Sequence, residues 1–198
     1  MSTEIELKYV PTGEFSRDFL FSLPEIAPFC GEVSKFEMKT EYLDTEDGLA
    51  QSSGIGLRRR VENGKSFMYA KCNVARSGEF SIRGEWRVES DDLARAAKLL
   101  AESGAPTSSL VGLPLCTVAS VSFTRFEAKV SLPSGLSFML SFDEGVFCDK
   151  VPFSEIELEL IEGEEDELLR FGRDLAVKYS LSPEYKSKNA RARLFSKI

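Results

Sequence analysis

The chain contains no histidine. Ser-His-Asp and Cys-His catalysis, His-ligated zinc and histidine pH switching are therefore excluded together. Acid–base or metal chemistry must run on carboxylates, lysine, tyrosine, cysteine and water. Cysteine is sparse. Cys30, Cys72, Cys116 and Cys148 are scattered without a C-x-x-C pair, which argues for buried free thiols rather than a disulfide framework or zinc knuckle. Long apolar runs are missing too: the stretch 110–123 is broken by Pro114 and several hydroxyl residues, and a membrane helix needs ~20 apolar residues. Met1-Ser-Thr-Glu-Ile-Glu has neither the basic nor the apolar region of a signal peptide. A reduced, cytoplasmic protein with no membrane partner is the expectation. Basic charge is in deficit as well. The 25 Lys and Arg against 32 Asp and Glu leave a net charge of −7, the reverse of a phosphate-neutralising nucleic-acid binder, so no nucleic-acid partner is expected.

What is present suits one domain over residues 1–198, with 42% apolar and 29% charged residues. Short alternating segments dominate, and alternation means strands. They fall at 3–10, 36–44, 55–62, 66–73, 79–89, 119–131, 136–144 and 153–161. Asn63-Gly64 joins two of them and is the pair a type I′ hairpin prefers. Pro133-Ser134-Gly135 is a second turn. Helices are predicted at 13–23, at 90–103 with Ser90 as N-cap and Gly104 as terminator, and at 164–181 with a core stripe of Leu168, Phe171, Leu175 and Val177. The acids 164–167 fit a helix start. The fold class is α+β, with an eight-stranded antiparallel sheet that curls or closes and helices packed against it.

The strands share one unusual feature. Residues two apart point the same way. Glu4, Glu6 and Lys8 share a face, opposite Ile5, Leu7 and Tyr9. The same holds for Arg58 and Arg60, for Arg83, Glu85, Arg87 and Glu89, for Arg125, Glu127 and Lys129, and for Glu155, Glu157 and Glu159. A one-sided antiparallel sheet also has a polar solvent face. Such faces normally mix Ser, Thr and Gln with the charges, whereas these are almost wholly ionic and segregated by strand. Two like charges ~4 Å apart cost about 4 kcal/mol at an effective dielectric of 20, so the acid rows require cations. Converging carboxylates suit Mg²⁺, Mn²⁺ or Ca²⁺, and Arg and Lys rows suit phosphate oxygens. A sheet closed around a polar lumen, holding a small polyanion through Arg, Lys and divalent metal, accounts for both signs.

Glu4-Ile5-Glu6-Leu7-Lys8 resembles the E-x-E-x-K signature of the CYTH, or triphosphate tunnel metalloenzyme, superfamily. Further similar segments follow in family order: Tyr42-Leu43-Asp44-Thr45, Gly54 to Arg60, Tyr69-Ala70-Lys71 (where the family usually has Thr-Leu-Lys), Arg83-Gly84-Glu85, Phe142 to Gly145, Ser154 to Glu159, and Ser187-Lys188-Asn189-Ala190-Arg191. The resemblance implies a closed eight-stranded antiparallel tunnel that binds a triphosphate. It implies that Glu4, Glu6, Glu155 and Glu157 hold Mg²⁺ or Mn²⁺, with Asp143 and Glu159 as further metal candidates. Lys8, Arg58, Arg60, Lys71, Arg125 and Lys188 would clamp phosphate oxygens, with Arg83, Glu85 and Arg191 as additional binding or orienting groups. Glu4, Glu6 and Lys8 would form the catalytic core.

The expected activity is metal-dependent hydrolysis of a triphosphate, inorganic tripolyphosphate first, by a monomer or homodimer. Thiamine triphosphate is an alternative substrate. A class IV adenylyl cyclase is another alternative, although such cyclases carry an H-F segment ahead of E-x-E-x-K where this chain has Met1-Ser2-Thr3. A non-catalytic polyphosphate or nucleotide-binding module is the alternative from outside enzymes; three aligned acids argue against it. Trp86 is expected in packing, and Lys186, Arg193 and Lys197 are expected as a basic tail.

Overall fold

A computed structural model describes residues 2–13, 15–77 and 80–196, with side chains throughout except at 2–3, 73–77 and 80–83. Nine strands form one antiparallel sheet: β1 (Ser2–Val10), β2 (Ser34–Asp44), β3 (Ile55–Glu62), β4 (Lys65–Ser77), β5 (Phe80–Glu89), β6 (Cys116–Ser131), β7 (Ser137–Phe147), β8 (Val151–Glu162) and β9 (Ser182–Pro183). Five helices accompany them: α1 (Arg17–Ser22), α2 (Leu49–Ser52), α3 (Ala96–Glu102), α4 (Glu165–Tyr179) and α5 (Lys188–Phe195). The strand order is β5-β4-β3-β2-β6-β7-β8-β1-β9, and β1 also pairs with β5.

The expected closed eight-stranded barrel is corrected in count and in closure. The sheet rolls until its ends meet, but the edge of β1 away from β8 is divided. Ser2–Glu6 pair with β5 through register partners Glu85 to Ser81, while Tyr9 and Val10 pair with Pro183 and Ser182 of β9. Among the described residues β5 begins at Phe80, and past the β1–β5 pairs it is β9 that meets Tyr9 and Val10.

Local sequence explains most elements. Asn63 (φ 46°) and Gly64 (φ 85°) both adopt the left-handed conformation of a type I′ turn, and the Asn63 carboxamide oxygen accepts from the Glu37 amide. Helix α1 is shorter than the expected 13–23 because Ser16 caps it, accepting from the Phe19 amide. The region 90–103 splits. Asp92, not Ser90, caps a 3-10 turn at Leu93–Arg95, which leads into α3, and Gly104 (φ 92°) follows it. The acids Glu165, Asp166 and Glu167 occupy the first turn of α4, as expected from the dipole. Val177 is corrected from core to solvent, at 84% exposure: it lies two residues from Leu175, which turns it to the opposite side of the helix. The thiols are also corrected. Cys116 is exposed and the other three are half-buried.

The apolar strand faces point outward and are covered. Leu7, Tyr9, Phe138, Leu140 and Leu158 pack with Leu20 of α1 and with Leu168 and Leu175 of α4. Leu57, Met68 and Ala70 pack with Ala96, Ala97 and Leu100 of α3, and Trp86 joins this cluster. The concave face is therefore left to the ionic rows, except at one end, where Ala192 of α5 packs with Tyr42, Val121 and Phe147. None of the described helices is long and apolar enough to cross a membrane.

Gly145 on β7 has no room for a side chain. A Cβ there would lie 2.1 Å from the Ser122 carbonyl and 2.5 Å from Phe123. Because the obstacle is β6 backbone, Gly145→Ala is expected to destabilise by about 2–3 kcal/mol. Chemical denaturation measures this; an unchanged midpoint would show that β6 and β7 separate without cost.

Candidate functional site

The two-residue period places Glu4, Glu6 and Lys8 of β1, Arg58, Arg60 and Glu62 of β3, and Tyr69 and Lys71 of β4 around a cavity of about 720 Å³. Glu85 and Arg87 of β5, Arg125 and Glu127 of β6, and Glu157 and Glu159 of β8 complete it, with Lys188 from α5. The side chain of Arg83 lies outside the described residues. Three electrostatic neighbourhoods follow from this placement.

The first is saturated. One oxygen each from Asp143, Glu155 and Glu157 lies within 4.8 Å of the others. Asp143 and Glu155 are fully buried. Lys188 Nζ reaches all three, at 2.8 Å from Asp143 and 2.9 Å from Glu157, and it also bonds Glu155. Arg125 forks onto Asp143 (Nε 2.8 Å, Nη2 2.7 Å) and bonds Glu157. Arg191 bonds Glu155. Burial pushes the Asp143 and Glu157 carboxyls up, but the Arg125 and Lys188 charges outweigh it and hold both below the usual carboxylate range.

The second is a chain of pairs on β1, β4 and β5. Lys71 Nζ donates to both Glu4 oxygens (2.9 and 2.7 Å) and lies 2.5 Å from Glu85. Burial opposes ionisation at Glu85, yet the Glu4 hydrogen bond and the Lys71 and Arg58 charges hold it at about 2. Glu4 goes the other way. Burial raises it, Lys71 offsets part of that, and Glu85 adds to the rise. Lys8 donates to Glu6 at 2.7 Å, and burial lowers its ammonium to about 8 against the pull of Glu157. Glu159 stands across from Glu6 in the β1–β8 register. It forms no ion pair among the described residues, and burial together with the Glu4 and Glu157 charges pushes it up to about 7.

The third neighbourhood is cationic. Arg60 is 7% exposed and has no carboxylate partner among the described residues. Its Nε donates to Thr40 at 2.9 Å, and the Phe123 and Tyr69 rings lie 5.5 and 5.9 Å from its guanidinium. Burial, Arg58 and Arg125 lower it to about 10, so it stays charged at neutral pH. Arg58 lies 4.3 Å from the Tyr69 ring, and its nearest described carboxylate, Glu85, is 3.7 Å away.

Most of the sequence-based set lines this cavity; Asp143, Glu155 and Arg191 do not, and lie in the buried cluster beside it, while the side chain of Arg83 is not among those described. That reading did not assign Glu62, Tyr69, Arg87 or Glu127 to the site, although the alternation that aligned Arg58 with Arg60 extends to Glu62, and Tyr69 sits two residues before Lys71. It also did not predict α5. Arg193 is no solvated tail residue: Nη2 lies 2.8 Å from Asp44, Nη1 bonds Gln51 and Nε bonds Asn189, both at 3.0 Å. Asp44, fully buried, also accepts from the Thr45, Ala50 and Gln51 amides. This network docks α5 so that Lys188 and Arg191 enter the acidic cluster.

The carboxylate sets differ in what they can still bind. Asp143, Glu155 and Glu157 have their charge answered by side chains. Glu159, beside Glu4, Glu6 and Glu157, has not, and an all-oxygen set of this kind fits a hard divalent cation. The facing Arg58 and Arg60 retain donors for an anion.

Comparison with known proteins agrees with this geometry. A family model for the CYTH domain matches residues 2–192. No match to a curated protein was found. Among solved structures, HpAC1 from Hippeastrum, an adenylyl cyclase candidate reported with a dominant triphosphatase activity, superposes with a TM-score of 0.67 at 20% identity, over 97% of this chain and 96% of that one. A candidate adenylate cyclase from Bacillus halodurans superposes with a TM-score of 0.59 at 18% identity, over 96% and 98%. PH1819 from Pyrococcus horikoshii OT3 superposes with a TM-score of 0.57 at 20% identity, over 98% and 99%. At these identities the structures speak for the fold. The family match covers nearly the whole length: the chain belongs to the CYTH domain family.

Proposed function

We propose that the protein hydrolyses the terminal phosphoanhydride of a triphosphate, with inorganic tripolyphosphate as the foremost substrate. One observation carries this reading: buried Arg60 and half-buried Arg58, both without tight carboxylate pairing, line the same cavity as Glu159, a carboxylate with no ion pair among the described residues. A metal–polyphosphate complex supplies both missing charges. Glu4, Glu6, Glu157 and Glu159 would hold Mg²⁺ or Mn²⁺. This reverses the sequence-based order, in which Glu155 ranked ahead of Glu159, because Glu155 is fully buried behind the cavity, bonded to Lys188 and Arg191, whereas Glu157 and Glu159 line it. A cation bound there would neutralise phosphate oxygens and align water for in-line attack.

The chain's own groups provide the rest. Arg58, Arg60 and Arg125 bind phosphate oxygens, and Lys8, Lys71 and Lys188 add charge along the same wall. Asp143 and Glu155 position Arg125, Lys188 and Arg191. Lys8, lowered by burial to about 8, lines the same cavity and is the proposed group for proton exchange with attacking water. The dominant triphosphatase activity of HpAC1 favours hydrolysis over cyclisation. Thiamine triphosphate, ATP and longer polyphosphate belong in the same assay, scored for phosphate and for cyclic AMP. The protein is proposed to act in the cytoplasm on this small molecule, as a monomer or homodimer.

Phosphate release from tripolyphosphate is expected to require Mg²⁺ or Mn²⁺, and Glu4→Gln or Glu6→Gln to lower it about 100-fold or more, as loss of a metal-holding group does. Wild-type turnover in both variants would remove the metal role.

Arg58→Ala and Arg60→Ala are each expected to raise KM about 10- to 100-fold, the worth of a charge-assisted hydrogen bond. Steady-state kinetics at fixed Mg²⁺ test this, and unchanged KM in both would reduce that wall to a solvated face.

Glu159 gives a pH signature. Its folded value of about 7 exceeds the ordinary 4.5, so the folded state keeps a proton that the unfolded chain has released. This site's contribution to stability therefore falls as pH rises from 4.5 to 7. Without metal, Glu159→Gln should raise Tm at pH 8 more than at pH 5. Mg²⁺ should stabilise the wild type more at pH 8 than at pH 6. Thermal scans that show neither difference would place Glu159 outside the cation site.

A further inference from the structure

In a cavity lined with carboxylates, Arg58 and Arg60 escape tight pairing, and the cause lies one strand away. The β3–β4 and β4–β5 registers set Tyr69 opposite both Arg58 and Arg87. Its ring is 4% exposed, with Arg58 4.3 Å and Arg60 5.9 Å from its centroid. Its hydroxyl donates to Glu62 Oε1 at 2.5 Å, while Glu62 Oε2 accepts from Arg87 Nη2 at 3.2 Å. Arg87 in turn lies over the Phe67 ring at 3.6 Å. Glu62 is therefore held at both oxygens by partners other than Arg60.

That restraint matters because Glu62 shares its β3 face with Arg60 and Arg58, the former about 7 Å along the strand. Such a spacing is bridged by side-chain rotation. A released Glu62 would pair with the partnerless guanidinium, since an unpaired buried cation is costly. The phenol is a durable donor: burial and the Glu62 bond push it up to about 12.

We propose that Tyr69 is a positioning residue, one that keeps Arg58 and Arg60 available to substrate phosphate by tethering Glu62 with its hydroxyl and supporting Arg58 on its ring. This rests on the polyphosphate reading and adds a residue to it.

The test pairs calorimetric titration of tripolyphosphate in EDTA with steady-state hydrolysis in Mg²⁺. Tyr69→Phe keeps the ring and frees Glu62. It should raise Kd and KM about tenfold while kcat stays within about twofold. Adding Glu62→Gln to Tyr69→Phe should restore wild-type Kd, a rescue that loss of packing alone would not show. Glu62→Gln alone, with Tyr69 intact, should bind at least as tightly as wild type. Unchanged Kd in Tyr69→Phe, failure of the double variant to recover, or weaker binding by Glu62→Gln would each overturn the proposal. Wild-type binding without phosphate release counts against the hydrolase reading alone, and the Kd series still decides this inference. If the wild type acts on tripolyphosphate only with Mg²⁺, the KM series decides this inference in place of Kd; failure of the wild type both to bind in EDTA and to hydrolyse in Mg²⁺ overturns both.

Discussion

Burying a charge is affordable only when an opposite charge or a hydrogen-bonding group meets it, and the concave face of this sheet is organised by that constraint. Fully buried Asp143 is met by Arg125 and Lys188, and fully buried Glu155 by Lys188 and Arg191. Where compensation is complete, the groups serve as scaffold. Where it is incomplete, at Glu159 on one wall and at Arg58 and Arg60 on another, the cavity keeps affinity for a ligand of the complementary sign. Proximity of acids therefore does not by itself mark a cation site. The tightest acidic cluster, Asp143–Glu155–Glu157, is the one whose charge is already answered from within the chain.

The fold makes this distribution possible by turning the usual arrangement outside in. Apolar strand faces point outward to α1, α3 and α4, which free the inner face from supplying the core. Charged side chains then face one another across a narrow space rather than bulk water, so their interactions are strengthened and each partner choice has consequences. Helix α5 completes the enclosure at one end. It brings few apolar contacts and is fastened by Arg193 to Asp44, a polar clasp that couples the β2 terminus to the position of Lys188.

Much of this was legible in the residue order. Strict alternation located the strands and separated ionic from apolar faces, because a strand has only two sides. The Asn63-Gly64 turn set the β3–β4 register, and the E-x-E-x-K segment with its companions named the site residues. Helix α5 escaped because its buried residues are Lys188, Arg191 and Ala192, so it lacks the apolar period by which helices are recognised. The break in closure escaped because it depends on which strands meet β1 along its length. Tyr69 and Glu62 escaped because their importance lies in a contact across two strands.

By itself, the sequence determined the eight longer strands, their apolar and ionic faces and most of the charged groups facing inward, since each follows from local spacing and side-chain chemistry. Only the tertiary structure decided which opposite charges satisfy one another and which are left over. That choice depends on distances between strands remote in the chain, and on helix α5, which carries Lys188 and Arg191 to the buried acids while Ala192 packs on Tyr42, Val121 and Phe147.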